Sequence, residues 1–385
     1  MLLCVIINIG DFMTYLDYSA TTPVDEEVLD SFVKVTRDYI GNPNSLHKLG
    51  VESNKLIESA TKQISDLLGA SDKEIVYTSG SSEANNLAIK GICLKYQNRG
   101  KHIITTDFEH SSIYGPISYL QTLGFEVDFV KTLDNGLVDI ENLKSLMRDD
   151  TILVSITAVN SEIGIKEPIE EIGKFLKEYP KCFYHVDATQ AIGKFKIDLS
   201  NIDLLSFSAH KIYGIKGIGC LVKNKKLVIE PIIHGGKSTS IYRSGTPTLS
   251  LIVSLAKALR LVYENMDNNY KYVESLNKDL RNYLKKFDKV VINSNDICVP
   301  HILNFSVLGV KPETMLHALE EYEVYISTKT ACSSSGDYSK AVFALTNDKK
   351  RASSSIRVSL SHKTTKEDIE KFKKAFDDCY KKLVF

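Results

Sequence analysis

The chain has 385 residues, 43% of them hydrophobic and 25% charged, enough to bury a large core and to divide into two domains. Lys plus Arg and Asp plus Glu both number 48, so no overall field draws it to nucleic acid or a membrane surface, and no apolar run reaches the length of a transmembrane helix. Its seven cysteines are odd in number, scattered and without a C-x-x-C pair, which points to neither a disulfide framework nor a zinc site and fits a reducing cytoplasm.

In chain order, Met1 to Ile7 is apolar but lacks the basic start and small-residue cleavage site of a signal peptide. Organised sequence begins at Met13-Thr14, so residues 1–12 read as a dispensable extension or the product of a start codon set upstream. Leu49, Leu56, Ala60, Ile64 and Leu67 predict a helix with Ser45 as N-cap and Gly69 as its stop. Short strands are expected at 74–78, 102–105, 125–130 and 151–156, separated by segments of helical spacing. That alternation predicts an α/β fold whose mostly parallel sheet is covered on both faces. A returning antiparallel strand follows at 217–222, then a helix over 249–263 and a charged stretch, 264–270, that reads as a domain boundary. Beyond it a strand at 303–307, a helix near 313–321, a strand at 355–360 and a terminal helix from Lys366 form a smaller α+β domain.

Val186-Asp187-Ala188-Thr189-Gln190 and Ser206-Phe207-Ser208-Ala209-His210-Lys211 each follow a short apolar run, where a buried strand delivers polar groups to the carboxyl edge of a parallel sheet. An acid and a lysine held there suit pyridoxal phosphate: the amine forms a Schiff base and the carboxylate keeps the pyridine nitrogen protonated. Thr78-Ser79-Gly80-Ser81-Ser82-Glu83 is a strand end, a glycine turn and a helix start; it reads either as a phosphate cradle or as a plain capping box. His110, just past another strand, can stack on an aromatic cofactor and move protons, or be an ordinary loop histidine. Arg243 and Thr246 follow a double glycine. Arg357 lies in an apolar strand and needs a partner, either a substrate carboxylate or an internal acid. Cys332 sits in a polar, small-residue loop with Lys329 nearby, as an accessible nucleophile or an inert thiol, whereas Cys93, Cys182, Cys220 and Cys298 lie in apolar runs.

Taken as an ordered set, Asp17-Tyr18-Ser19-Ala20-Thr21-Thr22-Pro23, Gly41-Asn42-Pro43-Asn44-Ser45-Leu46-His47, Thr78 to Gly91, Glu109-His110, His185 to Gln190, Ser206 to Lys211, Arg243-Ser244-Gly245-Thr246, Ala331-Cys332-Ser333-Ser334 and Ser355 to Leu360 resemble the cysteine desulfurases of the NifS/IscS type, within the class V aminotransferases. The resemblance runs from Tyr15 to the C-terminus. It implies a fold type I pyridoxal-phosphate transferase: a large domain over 26–263 with a mostly parallel seven-stranded sheet, and a small α+β domain over 264–385 that residues 1–25 join and that carries the cysteine loop. It further implies that Lys211 holds the cofactor, Asp187 pairs with the pyridine nitrogen, Gln190 and Ser161 reach the ring hydroxyl, and His110 stacks on the ring. Ser81, Ser82, Ser208 and His210 would hold the phosphate with Thr246 of the partner subunit, which makes the enzyme a homodimer. Arg357 and Asn160 would take the carboxylate of L-cysteine, and Cys332 would accept its sulfur as a persulfide for transfer to sulfur-acceptor proteins.

The chain departs from the family pattern in places. Ser161 stands where the family usually has a second Asn, which costs about 1 kcal/mol if one hydrogen bond is lost. Lys237 to Tyr242 replaces a run containing Gln-Glu, and Ser361-His362-Lys363 replaces Gly-Arg-Phe. Three functions therefore stand at this point: a desulfurase, another class V reaction such as an aminotransferase or selenocysteine lyase, and a weakly active paralogue that acts mainly as a binding partner in sulfur transfer.

Overall fold

A computed structural model of the chain describes residues 13–328 and 338–384. Its first half runs β1 (Thr14–Tyr15), α1 (Glu26–Asp38), α2 (Lys48–Leu68), β2 (Lys73–Thr78), α3 (Ser81–Tyr96), β3 (His102–Thr105), α4 (Ser111–Gln121), β4 (Glu126–Phe129), α5 (Ile140–Leu146), β5 (Thr151–Thr157), α6 (Ile169–Leu176), β6 (Phe183–Asp187), β7 (Leu204–Ser208) and β8 (Gly219–Asn224). The second half runs α7 (Leu249–Glu264), α8 (Met266–Leu284), β9 (Val290–Ile292), β10 (Ile302–Val307), α9 (Pro312–Glu320), β11 (Val324–Tyr325), α10 (Lys340–Thr346), α11 (Lys349–Ala352), β12 (Ser355–Ser359) and α12 (Lys366–Leu383). Two units result: a larger one of Thr21–Ser161 and Ile165–Asn268, and a smaller one of the residues up to Ala20, Glu162–Gly164 and Asn269 onward. Among the described residues no helix is long and apolar enough to cross a membrane.

The larger unit is built on a seven-stranded sheet in the order β2-β8-β7-β6-β5-β3-β4. β8 runs antiparallel to both neighbours, and the remaining pairs are parallel. Every residue of β5 and β7 is buried, because central parallel strands are covered on both faces; edge strand β4 instead exposes Glu126 and Phe129. α3 packs Leu87, Ala88, Ile89 and Ile92 into this core. Cys93, Cys182 and Cys220 are buried as small apolar groups, with burial pushing each thiol pKa up.

One local expectation is corrected. The N-cap of α2 is His47, whose Nδ1 accepts the Gly50 N–H at 3.3 Å, while Ser45 is spent in a turn on Asn42 O. Its stop is Gly69 as expected, in the left-handed region at φ 63°. The larger unit ends at Asn268, within the charged stretch 264–270, where α8 begins at Met266 after a break at Asn265 and turns Val273, Leu276, Leu280 and Leu284 into the small unit's core.

In the smaller unit, β12-β10-β9 form an antiparallel sheet and β1 pairs parallel with β11. Leu303, Phe305, Ile356 and Val358 of the sheet meet Phe372 and Phe376 of α12 in one core. The Glu162–Gly164 tripeptide is pinned to this unit by Ser294 Oγ to Ile163 O (2.6 Å), Asn304 Nδ2 to Glu162 O (3.1 Å) and Val299 N to Gly164 O (2.8 Å). Gly164 is required there: its φ is 89°, and a Cβ would lie 3.0 Å from Ile302 Cβ.

Candidate active site

Register brings Thr157 and Asp187, at the carboxyl ends of β5 and β6, side by side with Ser206 in β7. Asp187 is 5% exposed and bonded on both oxygens: Oδ1 accepts the Thr189 N–H at 2.9 Å and Oδ2 accepts from Asn85 Nδ2 at 2.8 Å. Asn85 Nδ2 also donates to Ser112 Oγ at 2.9 Å, which lies 2.8 Å from His110 Nδ1. The same Nδ1 accepts the Ser112 N–H as the cap of α4, so a neutral His110 carries its proton on Nε2. His110 and Asp187 are thereby joined through Ser112 and Asn85. Two residues before Asp187 on β6, His185 is fully buried between Ser155 Oγ and Ser206 Oγ, both at 2.9 Å, and burial depresses its pKa to about 4.

α3 opens with Gly80 as its N-cap and no side-chain cap. A capping box is therefore not formed: Glu83 reaches back to the Ser79 N–H (2.8 Å) and pairs with Arg243 Nε (3.0 Å), but no side chain returns the bond. The first intrahelical bond runs from Ala84 N to Gly80 O, so the N–H groups of Ser81, Ser82 and Glu83 face outward from the helix start, where an anion is favoured. Ser208 Oγ is at this turn, 3.6 Å from where a Gly80 Cβ would sit. The donor set of backbone N–H groups, Ser81, Ser82 and Ser208 fits a phosphate, and the doubly anchored Asp187 fits a protonated ring nitrogen.

Lys211 ends a short 3₁₀ turn, Ala209–Lys211, straight after β7. That turn is clamped by Thr22, whose N–H and Oγ1 both donate to His210 O while Oγ1 accepts the Tyr213 N–H at 2.8 Å. Tyr213 is held at φ 62°, a strained left-handed conformation for a non-glycine residue. His210 Nδ1 lies 3.2 Å from Thr21 Oγ1, and burial with the charges of Lys211 and Lys216 pushes its pKa down to about 4. Gln190 is buried and receives Lys194 Nζ on both its oxygens. Asn160 donates Nδ2 to Phe108 O at 2.9 Å, and Ser161 follows it at the end of the large-unit segment.

Thr246 is exposed on a groove of about 470 Å³ lined by Phe32, Tyr39, Ile40 and Pro43. In the smaller unit, Arg357 on β12 is 2% exposed and donates to Asp17 Oδ1 at 2.8 Å, so Asp17 is an internal partner of its guanidinium. Cys332 lies outside the described residues; before it, Ser327 exchanges both backbone bonds with Arg357, and after it, Ser339 caps α10 and donates to Glu162 Oε2 at 2.5 Å. No cluster of metal-binding side chains occurs among the described residues.

Sequence reasoning gave no role to Asn85, Ser112, Thr22 or Lys194, each of which acts on a predicted site residue. Glu109 was also passed over. Its Oε1 accepts from Thr106 Oγ1 and Thr157 N, and burial pushes its pKa up to about 8, as it does for Glu167, which accepts the Val138 N–H.

The sheet order and the polar groups at its strand ends define the fold type I transferase architecture. The aminotransferase class-V family model matches residues 14–372. The cysteine desulfurase IscS of Proteus mirabilis is 43% identical over 367 residues, 92% of this chain and 90% of its own length. A mitosomal cysteine desulfurase of Trachipleistophora hominis is 41% identical over 383 residues, 96% of this chain and 86% of its own. A solved NifS-like protein, 34% identical, superposes with a TM-score of 0.91 over 96% of this chain and 100% of that one. One from Rickettsia africae, 31% identical, gives 0.86 over 96% and 99%. The chain belongs to the class-V aminotransferase family and, within it, to the cysteine desulfurases of the NifS/IscS type.

Proposed function

We propose that the protein is a pyridoxal-phosphate-dependent cysteine desulfurase that converts L-cysteine to L-alanine and carries the sulfur as a persulfide on Cys332. The observation that carries this reading is the doubly anchored Asp187 on β6, next in the sheet to β7, from which the clamped Lys211 turn continues. When bound, pyridoxal phosphate supplies an electron sink for the pair released at the substrate Cα.

Lys211 would bond the cofactor and, once displaced by substrate, move the Cα proton. Asp187 would hold the ring nitrogen protonated, Gln190 and Ser161 would meet the ring oxygen, and His110 would lie against the ring face. Ser81, Ser82, Ser208 and His210 would hold the phosphate, with Thr246 of the partner subunit completing the cradle. The groove beside Thr246, with Ile40 80% exposed, supports a homodimer. Arg357 and Asn160 would bind the substrate carboxylate; Arg357 has its Asp17 pair as a pre-set orientation for the guanidinium.

Cys332 then attacks the substrate sulfur as a thiolate. A sulfur–sulfur bond forms as the Cβ–sulfur bond breaks, its electron pair stays with the three-carbon fragment, and that fragment takes up protons and leaves as alanine. The persulfide passes to sulfur-acceptor proteins in the cytoplasm, for iron–sulfur cluster assembly or thiolation.

The test is release of alanine and sulfide from L-cysteine with dithiothreitol present. Equal amounts are expected, abolished in Lys211→Ala and Cys332→Ala, with the yellow cofactor band surviving only in Cys332→Ala. Turnover of L-cysteine indifferent to Cys332 would point instead to another class V reaction, and absent turnover with retained acceptor binding to a partner role.

A further inference from the structure

Lys194 lies four residues past Gln190 in the turn that follows β6. Its Nζ donates to Gln190 O at 2.7 Å and to Gln190 Oε1 at 3.2 Å. The amine donates in either protonation state, and as an ammonium it has no acceptor at all, so the amide atom that faces it is the oxygen. Gln190 is 5% exposed, and its side-chain amide is close to symmetric in shape; packing alone discriminates poorly between its two orientations, which swap a donor for an acceptor. Lys194 breaks that symmetry, leaving the NH₂ turned away from the ammonium.

The lysine is held at a cost. Burial and the nearby charge of Lys211 bring its pKa down to about 7, whereas a surface lysine would have neither burden. A surface position for a flexible ammonium is the ordinary arrangement, so its retention against one site residue and in the field of another calls for a function.

We propose that Lys194 is a positioning residue that locks the Gln190 amide so that its NH₂ is the group presented to the ring oxygen of the cofactor. The inference rests on the cofactor reading above. A donor at that oxygen favours its ionised form and lowers the pH at which the bound cofactor's visible band titrates. Loss of the lock lets the amide present its oxygen part of the time and moves that midpoint upward.

The experiment is a spectrophotometric pH titration of the holoenzyme. Lys194→Met is expected to raise the midpoint by roughly half a pH unit or more, the scale of one hydrogen bond, and Gln190→Ala to raise it similarly. In the Gln190→Ala background, Lys194→Met should then add nothing, because its effect passes through the amide. An equal shift in both backgrounds would mean that the ammonium acts by its charge alone and would overturn the proposal, as would no shift at all. Lys194→Gln keeps a neutral donor toward Gln190 and serves where the Met variant fails to fold: a midpoint near the parent's supports the lock, and a shift like that of Gln190→Ala refutes it. Absence of any visible band in the parent protein with pyridoxal phosphate would overturn the cofactor reading itself, and is distinct from each of these.

Discussion

Asn85 spends one amide group on two partners, Asp187 and Ser112, and thereby connects the acid to the histidine cap of α4. Hydrogen bonds to charged groups are worth about 1.5–3 kcal/mol, so Asn85→Ala should weaken pyridoxal phosphate binding by roughly tenfold or more, read by fluorescence titration of the apoprotein. Unchanged affinity would show that Thr189 N alone suffices to set the carboxylate. At this scale the sequence was legible where chemistry is announced by a change of character: Asp187 and Lys211 are ionisable groups in polar stretches that follow short apolar runs. Asn85 and Lys194 were not, because their partners are chosen by tertiary register. Asn85 sits in the first turns of a helix 102 residues from Asp187, and nothing local distinguishes it from Asn86, which bonds back to Ser82 O.

Two glycines show how elements shape the site. Gly219 opens β8 against the turn before α3, where a Cβ would lie 2.6 Å from Phe207 O and 2.8 Å from Gly80 backbone atoms. Gly219→Ala must therefore displace the α3 start, and is expected to loosen phosphate binding, seen as a weaker response to inorganic phosphate in competition with the cofactor, while the far end of the sheet is unaffected. Gly69, by contrast, meets nothing within 4 Å, so Gly69→Ala costs only its left-handed conformation, about 1 kcal/mol in a denaturant melt, without change in cofactor affinity. The strands were legible because buried parallel strands are continuous apolar runs. The α2 cap was not: Ser45 has the right residue type, but a preceding turn on Asn42 consumes its N–H and leaves His47 to meet the helix. The charge of residues 264–270 marks the unit boundary but not the helix that starts there, since an amphipathic helix carries such residues on its outer face while Val273 and Leu276 point inward.

Buried titratable groups give the whole molecule a pH dependence of two signs. Glu109 and Glu167 have folded pKa values raised to about 8, so their contribution to stability is full below the unfolded carboxylate range and is lost as pH rises through 8. His185 and His210, lowered to about 4, contribute stability that is full above 6.5 and lost as pH falls through 4. Lys194, lowered to about 7, adds stability as pH rises above 7, one group opposing two. The Glu109→Gln, Glu167→Gln double variant should therefore gain on the parent between pH 6 and pH 8, by about 1 kcal/mol or more, in denaturant titrations of the apoprotein. An identical pH profile for both would mean that these acids ionise freely.

The division into two units was only partly readable. Composition marks the charged stretch near the start of α8, but nothing in Glu162-Ile163-Gly164 announces a three-residue visit to the other unit; what holds it there is Ser294, Asn304 and Val299, all distant in sequence. That discontinuity has a consequence for synthesis on the ribosome. The larger unit is complete once Asn268 has emerged, and can fold while the rest is still being made. The smaller unit cannot: β1, made before the larger unit, must wait for β11 to pair Thr14 with Val324, and its core needs Phe372 and Phe376 from α12. Its assembly therefore waits for α12, and a ribosome stalled short of α12 would display a folded larger unit and a β1 strand with no neighbour, the form of the nascent chain most exposed to proteases and chaperones.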